Sequence, residues 1–429
     1  MNIGCVRKLV PYRHSSRLLV TVAAILALCA SFGSVAAQPP AGGGPGAGPP
    51  PAPSANVSVF ATGLQGPRGL RFGPDGALYV AEAGMGGTTS TIGQCDQVPE
   101  VGPYTGGKTA RISKIDASGK VTTVAQGLPS ARDGMGEQSA VTGVADVEFI
   151  GTTLYGLVSA GGCSHGNPDV PNEVVKVNAD GSTTRVIDLS AYIKSHPVAK
   201  PNPADIEPDG DFYSMIQVGG NLYVVEANHG DLIKITPDGT ATRVIDFSAT
   251  QGHNVPTVAA YRDGNFYVSN LGTFPITGSS KIYKVTPGGD ISIVASGLSA
   301  VLGIAYDSQG RLYALEMSTV PNQGPVPGSG MVVRMTAAGT WEPVATGLFF
   351  PTGMTFGPDG MLYVSNMGFG PPTGQIVKVN VNAAPTAGTG APATTTAPPA
   401  AATTPPAVTP ALPPAPNPSK YFIRRLGDG

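Results

Sequence analysis

Phe60-Ala61-Thr62-Gly63-Leu64, near the start of the chain, recurs as Val124-Ala125-Gln126-Gly127-Leu128, Val294-Ala295-Ser296-Gly297-Leu298 and Val344-Ala345-Thr346-Gly347-Leu348. The later copies follow a β-rich run that ends in a basic residue and one more apolar residue. That run occurs six times: Ile112-Ser113-Lys114-Ile115, Val174-Val175-Lys176-Val177, Leu232-Ile233-Lys234-Ile235, Ile282-Tyr283-Lys284-Val285, Val332-Val333-Arg334-Met335 and Ile376-Val377-Lys378-Val379. It alternates with six apolar-aromatic pairs, Leu78-Tyr79, Leu154-Tyr155, Leu222-Tyr223, Phe266-Tyr267, Leu312-Tyr313 and Leu362-Tyr363. The later tyrosines stand 44, 46 and 50 residues apart, a period typical of propeller blades.

Each unit reads as four strands, lettered A to D from the axis outwards. Strand A is Gly-rich, as in Arg68–Phe72, Leu302–Tyr306 and Thr352–Phe356. A turn such as Gly73-Pro74-Asp75-Gly76 leads to B, the tyrosine strand; C carries the basic residue. Gly in such turns supplies the positive φ of a tight hairpin. Strand D follows C at about 121–126, 183–188, 241–246, 291–296 and 341–346, but the sixth unit stops after C. The missing copy is the Phe60 segment at the other end. The pattern predicts an all-β, six-bladed β-propeller of four-stranded blades, its N-terminal strand closing the last blade. Closure protects edges that would otherwise invite pairing between chains.

Composition agrees. Of 429 residues, 59 are Gly and 42 Pro, and only 13% are charged, which excludes a helical bundle or coiled coil. Without its basic ends the body is mildly acidic and has no basic cluster, so nucleic acid is not an expected partner. Residues 1–37 read as an export signal: Arg7, Lys8, Arg13 and Arg17, an apolar run Leu18–Ala30, and small residues before Gln38. The run is short for a membrane span, and a lipid attachment through Cys29 is the weaker alternative. A Pro/Gly/Ala-rich linker is expected at 38–55, the propeller at 56–382 and an Ala/Thr/Pro-rich disordered tail at 383–429. The expectation is an exported monomer, in the periplasm, at the cell surface or secreted. Cys95 and Cys163 remain after the signal and suggest one disulfide.

Strands alternate in direction, so the A–B and C–D turns share one face and the B–C and D–A loops the other. The first set is short. The second is long, with insertions at about 83–109, 160–172, 317–330, 367–374, 127–142 and 189–211. His165, His196, His229 and His253 fall in it. Function is therefore expected on this loop face.

Three residues after each strand-B tyrosine stand Glu82, Val158, Glu226, Asn270, Glu316 and Asn366. Five of these offer oxygens. Two readings fit: convergent ligands for calcium, with Glu82, Glu226 and Asn270 as the metal set, or caps for the backbone amides of nearby loops. Asp146, early in an inner strand, is a further ligand-binding candidate, as are His229 and His253. Asp205, Glu207, Asp209 and Asp211 alternate like half of an EF-hand loop, but Ile216 stands where the closing Glu belongs. Gly162-Cys163-Ser164-His165-Gly166 matches G-x-S-x-G by coincidence, since it lies in a loop rather than a strand-to-helix turn. The strand-C basic residues are read as solvated strand faces.

Ala61-Thr62-Gly63-Leu64, Gly66-Pro67-Arg68-Gly69-Leu70 and Leu78-Tyr79-Val80-Ala81-Glu82-Ala83-Gly84 resemble the opening of the ScyD/ScyE family. The resemblance continues through Gly93-Gln94-Cys95, Gly143-Val144-Ala145-Asp146 and Asn221-Leu222-Tyr223-Val224-Val225-Glu226 and covers the whole propeller. It implies a secreted propeller and no settled activity. More distantly the repeats resemble NHL-repeat and gluconolactonase-like propellers, whose lactonases use an axial metal. The leading expectation is a binding or scaffold protein that engages a small molecule, glycan or protein through its loop face. The alternative is a calcium-dependent, lactonase-like hydrolase using Glu82, Glu226, Asp146 and Asn270.

Overall fold

The computed structural model describes residues 51–388 except 100, 137–138, 277 and 370–372. The expected signal, most of the linker and nearly all of the tail lie outside the described residues.

The chain forms six antiparallel blades around an axis. Blade 3 shows the plan: Phe212–Val218 inside, then Asn221–Glu226, Asp231–Ile235 and Ala241–Asp246 outside. In blade 6 the inner three strands, Gly353–Phe356, Leu362–Asn366 and Gly374–Val379, come from the end of the propeller. The fourth is Val57–Leu64, which pairs with Gly374–Val379 from Val57 against Val379 to Leu64 against Gly374. The ring therefore closes as the repeats require. Pairing runs beyond this strand: Ser54 N donates to Thr346 O (3.0 Å) and Ala55 N to Thr386 O (2.9 Å).

Blade 1 departs from the plan. Its outer strand is Val121–Arg132, longer than the repeat, and Val141–Thr142 adds a fifth strand. Much of the expected 127–142 loop is thus sheet. The long B–C loop supplies the reason: strand C begins early, at Thr105, and Gly106 and Gly107 pair with Ala131 and Ser130.

Apolar alternation on each strand fills the space between blades rather than one central core. Leu157, Val174, Met215 and Val224 fill the gap between blades 2 and 3. Leu315, Val332, Leu362 and Val377 do so between blades 5 and 6, and Leu64, Ile376, Leu78 and Ile115 between blades 6 and 1. Hydroxyls stitch the inner strands: Ser214 Oγ donates to Thr257 O (2.8 Å), Thr257 Oγ1 to Val301 O (2.7 Å) and Thr352 Oγ1 to Pro67 O (2.6 Å). Between blades 2 and 3 carboxylates do this work. Asp146 Oδ2 accepts from Met215 N (2.8 Å) and Glu148 Oε2 from Gln217 N (3.2 Å). Gly69 makes room, because a Cβ there would overlap the Asp146 carboxylate.

Several strand-C basic residues do more than face water. Lys114 Nζ meets Asp75 Oδ2 at 2.6 Å, and Tyr79 OH donates to the same carboxylate at 3.0 Å. Lys378, Asp359 and Tyr363 repeat this in blade 6, at 2.6 and 3.0 Å. Each lysine lies over its tyrosine ring. The repeat therefore fastens its own A–B turn.

Candidate functional site

The loop face is built around residues 160–211. Cys95 and Cys163, in the B–C loops of blades 1 and 2, form a disulfide across 68 residues. The turn after it, Cys163–His165, carries His165 into the interior with a 1% exposed side chain. His165 Nδ1 lies 2.9 Å from Gly161 O and Nε2 3.0 Å from Glu207 Oε2. An acceptor stands at each nitrogen, an arrangement that favours the protonated ring. Burial opposes that charge, but the Glu207 hydrogen bond and field, backed by Asp211 and Asp209, hold the pKa above its ordinary value. Tyr104 stands edge-on to the ring at 4.9 Å.

The four alternating acids share no ligand. Asp205 Oδ2 receives His253 Nε2 at 2.7 Å; Glu207 holds His165; Asp209 receives Lys194 Nζ (2.6 Å) and Ser164 Oγ (2.7 Å); Asp211 receives Ser159 Oγ (3.1 Å). Each sits on a different partner, so the segment ties together loops of blades 2, 3 and 4. Burial, then the fields of Glu207 and Glu226, push Asp211 up to about 7. Ser164 is fully buried and spends its hydroxyl on Asp209, which leaves no exposed nucleophile in the G-x-S-x-G match.

The strand-B candidates each hold the backbone that leads into their own blade. Glu82 accepts from Gln65 N (2.6 Å), from Arg111 Nε and Nη2 (2.8 Å each) and from Ser113 Oγ. Glu226 accepts from Asp211 N (3.0 Å), His229 N (2.6 Å) and Gly230 N (3.0 Å), and His229 Nδ1 lies 3.1 Å from its Oε1. Asn270 accepts from Lys281 N (2.6 Å) and donates to Asn254 O (2.8 Å). Glu316 accepts from Ser299 N (2.6 Å) and Asn366 from Phe349 N (2.8 Å). All five are buried. Burial pushes Glu316 up to about 7, against that single N–H. Among the described residues no group of three or more His, Cys, Asp or Glu is arranged to hold a metal ion. Asp146 lines the channel apart from them, and burial, opposed by Arg71, pushes it up to about 7.

Two features escaped the sequence reading. Tyr213, on blade 3, donates its hydroxyl to Thr352 O at 2.8 Å. Thr352 leads into blade 6, on the opposite side of the ring, so the side chain bars the channel. Around it Ile276, Ala300, Leu302 and Met317 pack with Leu271 and Phe369, and the Arg68 guanidinium lies 4.4 Å from the Phe369 ring. The loop end of the channel is thus filled, polar towards blades 1–3 and apolar towards blades 4–6. No local motif announces such a bar, because it joins residues 139 positions apart.

No family model and no curated protein sequence matches the chain. Solved structures do. A Bacteroides thetaiotaomicron protein of unknown function is 13% identical with a TM-score of 0.49, covering 77% of this chain and 76% of its own. A gluconolactonase from Xanthomonas campestris is 12% identical with a TM-score of 0.46, covering 78% and 96%. A virginiamycin B lyase from Staphylococcus aureus is 14% identical with a TM-score of 0.41, covering 76% and 98%.

Proposed function

We propose that the chain is an exported binding or scaffold protein whose loop face engages an extended partner, a protein or a glycan. One observation carries the reading. Eight large apolar side chains are exposed among the described residues, and four of them, Ile92, Met135, Phe274 and Val320, stand on loops of this face. Exposed apolar groups on a rigid rim suit recognition. The filled channel end beneath them suits a surface contact more than an enclosed small molecule. The disulfide supports an oxidising compartment. The ScyD/ScyE resemblance fits a secreted propeller and assigns no reaction.

The hydrolase reading has less support. Glu82, Glu226 and Asn270 spend their oxygens on nearby backbone amides, and Glu82 also on Arg111 and Ser113. The test is a glycan array and a random-peptide selection with the purified propeller. Selected binders should lose at least about tenfold in affinity for the Phe274→Ser/Val320→Ser variant. Calcium-dependent hydrolysis of a sugar lactone, lost in Glu226→Gln, would put the hydrolase in its place.

A further inference from the structure

The outer strand of each blade is a sheet edge, and among the described residues the ring covers these edges unequally. Where one blade follows another, the C–D turn glycine of the next blade sits against a carbonyl of the outer strand before it. A Cβ added to Gly119, Gly181 or Gly239 would clash with Phe60 O, Val124 O or Val186 O, and one on Gly289 would touch Val244 O. On blade 5 the segment leading into the closing strand takes this place: Asn56 Nδ2 donates to Val344 O (2.8 Å) and Thr346 N to Ser54 Oγ (3.1 Å). Blade 4, with Ile291–Leu298 outermost, is different. Gly339, the matching glycine, has nothing within 4 Å of its Cβ position, so no turn covers Val294 O. Further along, Trp341 Nε1 spans the gap to Ser296 O at 3.2 Å.

Between blades 4 and 5 this leaves an open cleft of about 700 Å³. Val294, Tyr267, Tyr306 and Met335 line it, and none of them is buried. Its two arginines are already engaged, Arg311 with Asp307 (2.6 Å) and Arg334 with Glu342 (2.6 Å). The strand beside it carries no charged residue, and Ile293 and Val294 are 53% and 40% exposed. At the register of Ile293, blades 2, 3 and 5 carry Arg185, Arg243 and Pro343. Charge and proline on an edge discourage strand pairing, whereas an exposed isoleucine invites it. Val59 stands there on blade 6, but beside the covered Phe60 O.

We propose that this edge receives the end of the same chain: Lys420–Leu426 lies along Ile291–Leu298 as a fifth strand and sets aromatic side chains into the cleft. Lys420-Tyr421-Phe422-Ile423-Arg424-Arg425-Leu426 lies outside the described residues, and Tyr421 and Phe422 are the only aromatic residues after the propeller. Tyr, Phe and Ile favour strands. The described chain leaves at Gly388, against Pro53 and beside the edge of blade 5, so the cleft is one blade away. Roughly 30 residues separate Gly388 from Lys420, and a coil of that length spans about 30 Å, enough to pass one blade. Tethering supplies an effective concentration of about 1 mM, so even a weak pairing is populated. Blade 1 shows that an outer strand of this ring accepts a fifth, in Val141–Thr142. A second copy pairing here would bury little more than one strand of 8 residues, less than a stable dimer needs. The cleft uses none of the loop-face residues and stands independently of that reading.

Trp341 is the chain's single tryptophan, so its fluorescence reports on the cleft. Acrylamide should quench it about twofold less in the purified full chain than in the full-chain variant Tyr421→Ser/Phe422→Ser/Ile423→Ser. The synthetic peptide Ser419–Gly429, added to that variant, should restore the protection saturably, with half-saturation below about 1 mM. Ile293→Pro gives blade 4 the residue that blade 5 already carries at this register. It should remove the protection while the thermal melt stays near the parent's. Equal quenching of the parent and the serine variant, no saturable effect of the peptide, or protection that survives Ile293→Pro would overturn the proposal. Protection lost on dilution would overturn it too, and would assign the edge to a second copy.

Discussion

The two faces of this ring use their residues in opposite ways. The loop face holds the long insertions, the histidines and the disulfide, and its chemistry-bearing groups satisfy one another: His165 with Glu207, His253 with Asp205, Lys194 with Asp209. The turn face has short hairpins fastened by Lys114–Asp75 and Lys378–Asp359, yet the central channel opens on it. Elaboration of sequence and free space are therefore found at opposite ends. Long loops need internal fasteners, and acids, histidines and cysteines are the side chains that supply them. Short turns leave the axis uncovered.

This contrast breaks most easily at His165. If the loop face is held by its buried pairs, Glu207→Ala leaves the 1% exposed His165 ring without its Nε2 partner. Unfolding by denaturant should then show a loss of up to about 3 kcal/mol. A loss below about 1 kcal/mol would mean that the pair is incidental and the groups free for other work.

Glu316 sharpens the comparison on the apolar side of the same face. Its folded pKa, about 7, exceeds the ordinary 4.5 because burial disfavours its charge. The folded chain therefore keeps this proton to higher pH than the unfolded chain does. Its contribution to stability is greatest below pH 4.5 and is lost as pH rises towards 7. Glu316→Gln should match the parent near pH 4 and gain up to about 3 kcal/mol over it at pH 8. A difference independent of pH, read from denaturation at several pH values, would contradict this.

The smallest effect is expected at the boundary between the faces. Tyr213→Phe removes the donor to Thr352 O but keeps the ring across the channel. Stability should fall by about 1 kcal/mol. No measurable loss would show that this bond across the channel is incidental.

The blades were legible because their repeat is local. A tyrosine, a basic residue and a turn aspartate recur at fixed offsets and meet within one hairpin set, and the Phe60 copy betrayed the closing strand. The disulfide was legible because, of four cysteines, only Cys95 and Cys163 lie beyond the expected signal. The site was less so. The alternating acids from Asp205 to Asp211 were visible as a pattern, but their partners lie on other blades, and spacing along a chain carries no record of that. Glu82, Glu226 and Asn270 admitted a ligand or a capping role, and only their hydrogen bonds show where their oxygens are spent. Val121–Arg132 outran its repeat because the early start of its neighbour at Thr105 gave it something to pair with.

The seam in blade 6 also sets an order of events. Val57–Leu64 emerges early in synthesis, and its partner Gly374–Val379 follows only some three hundred residues later. Until then the first strand has no ladder and the last blade lacks its outer layer. Contacts so distant along the chain are slow to form. Blades can gather one by one, but the circle locks in a single late step, after which neither end of the propeller presents a bare edge.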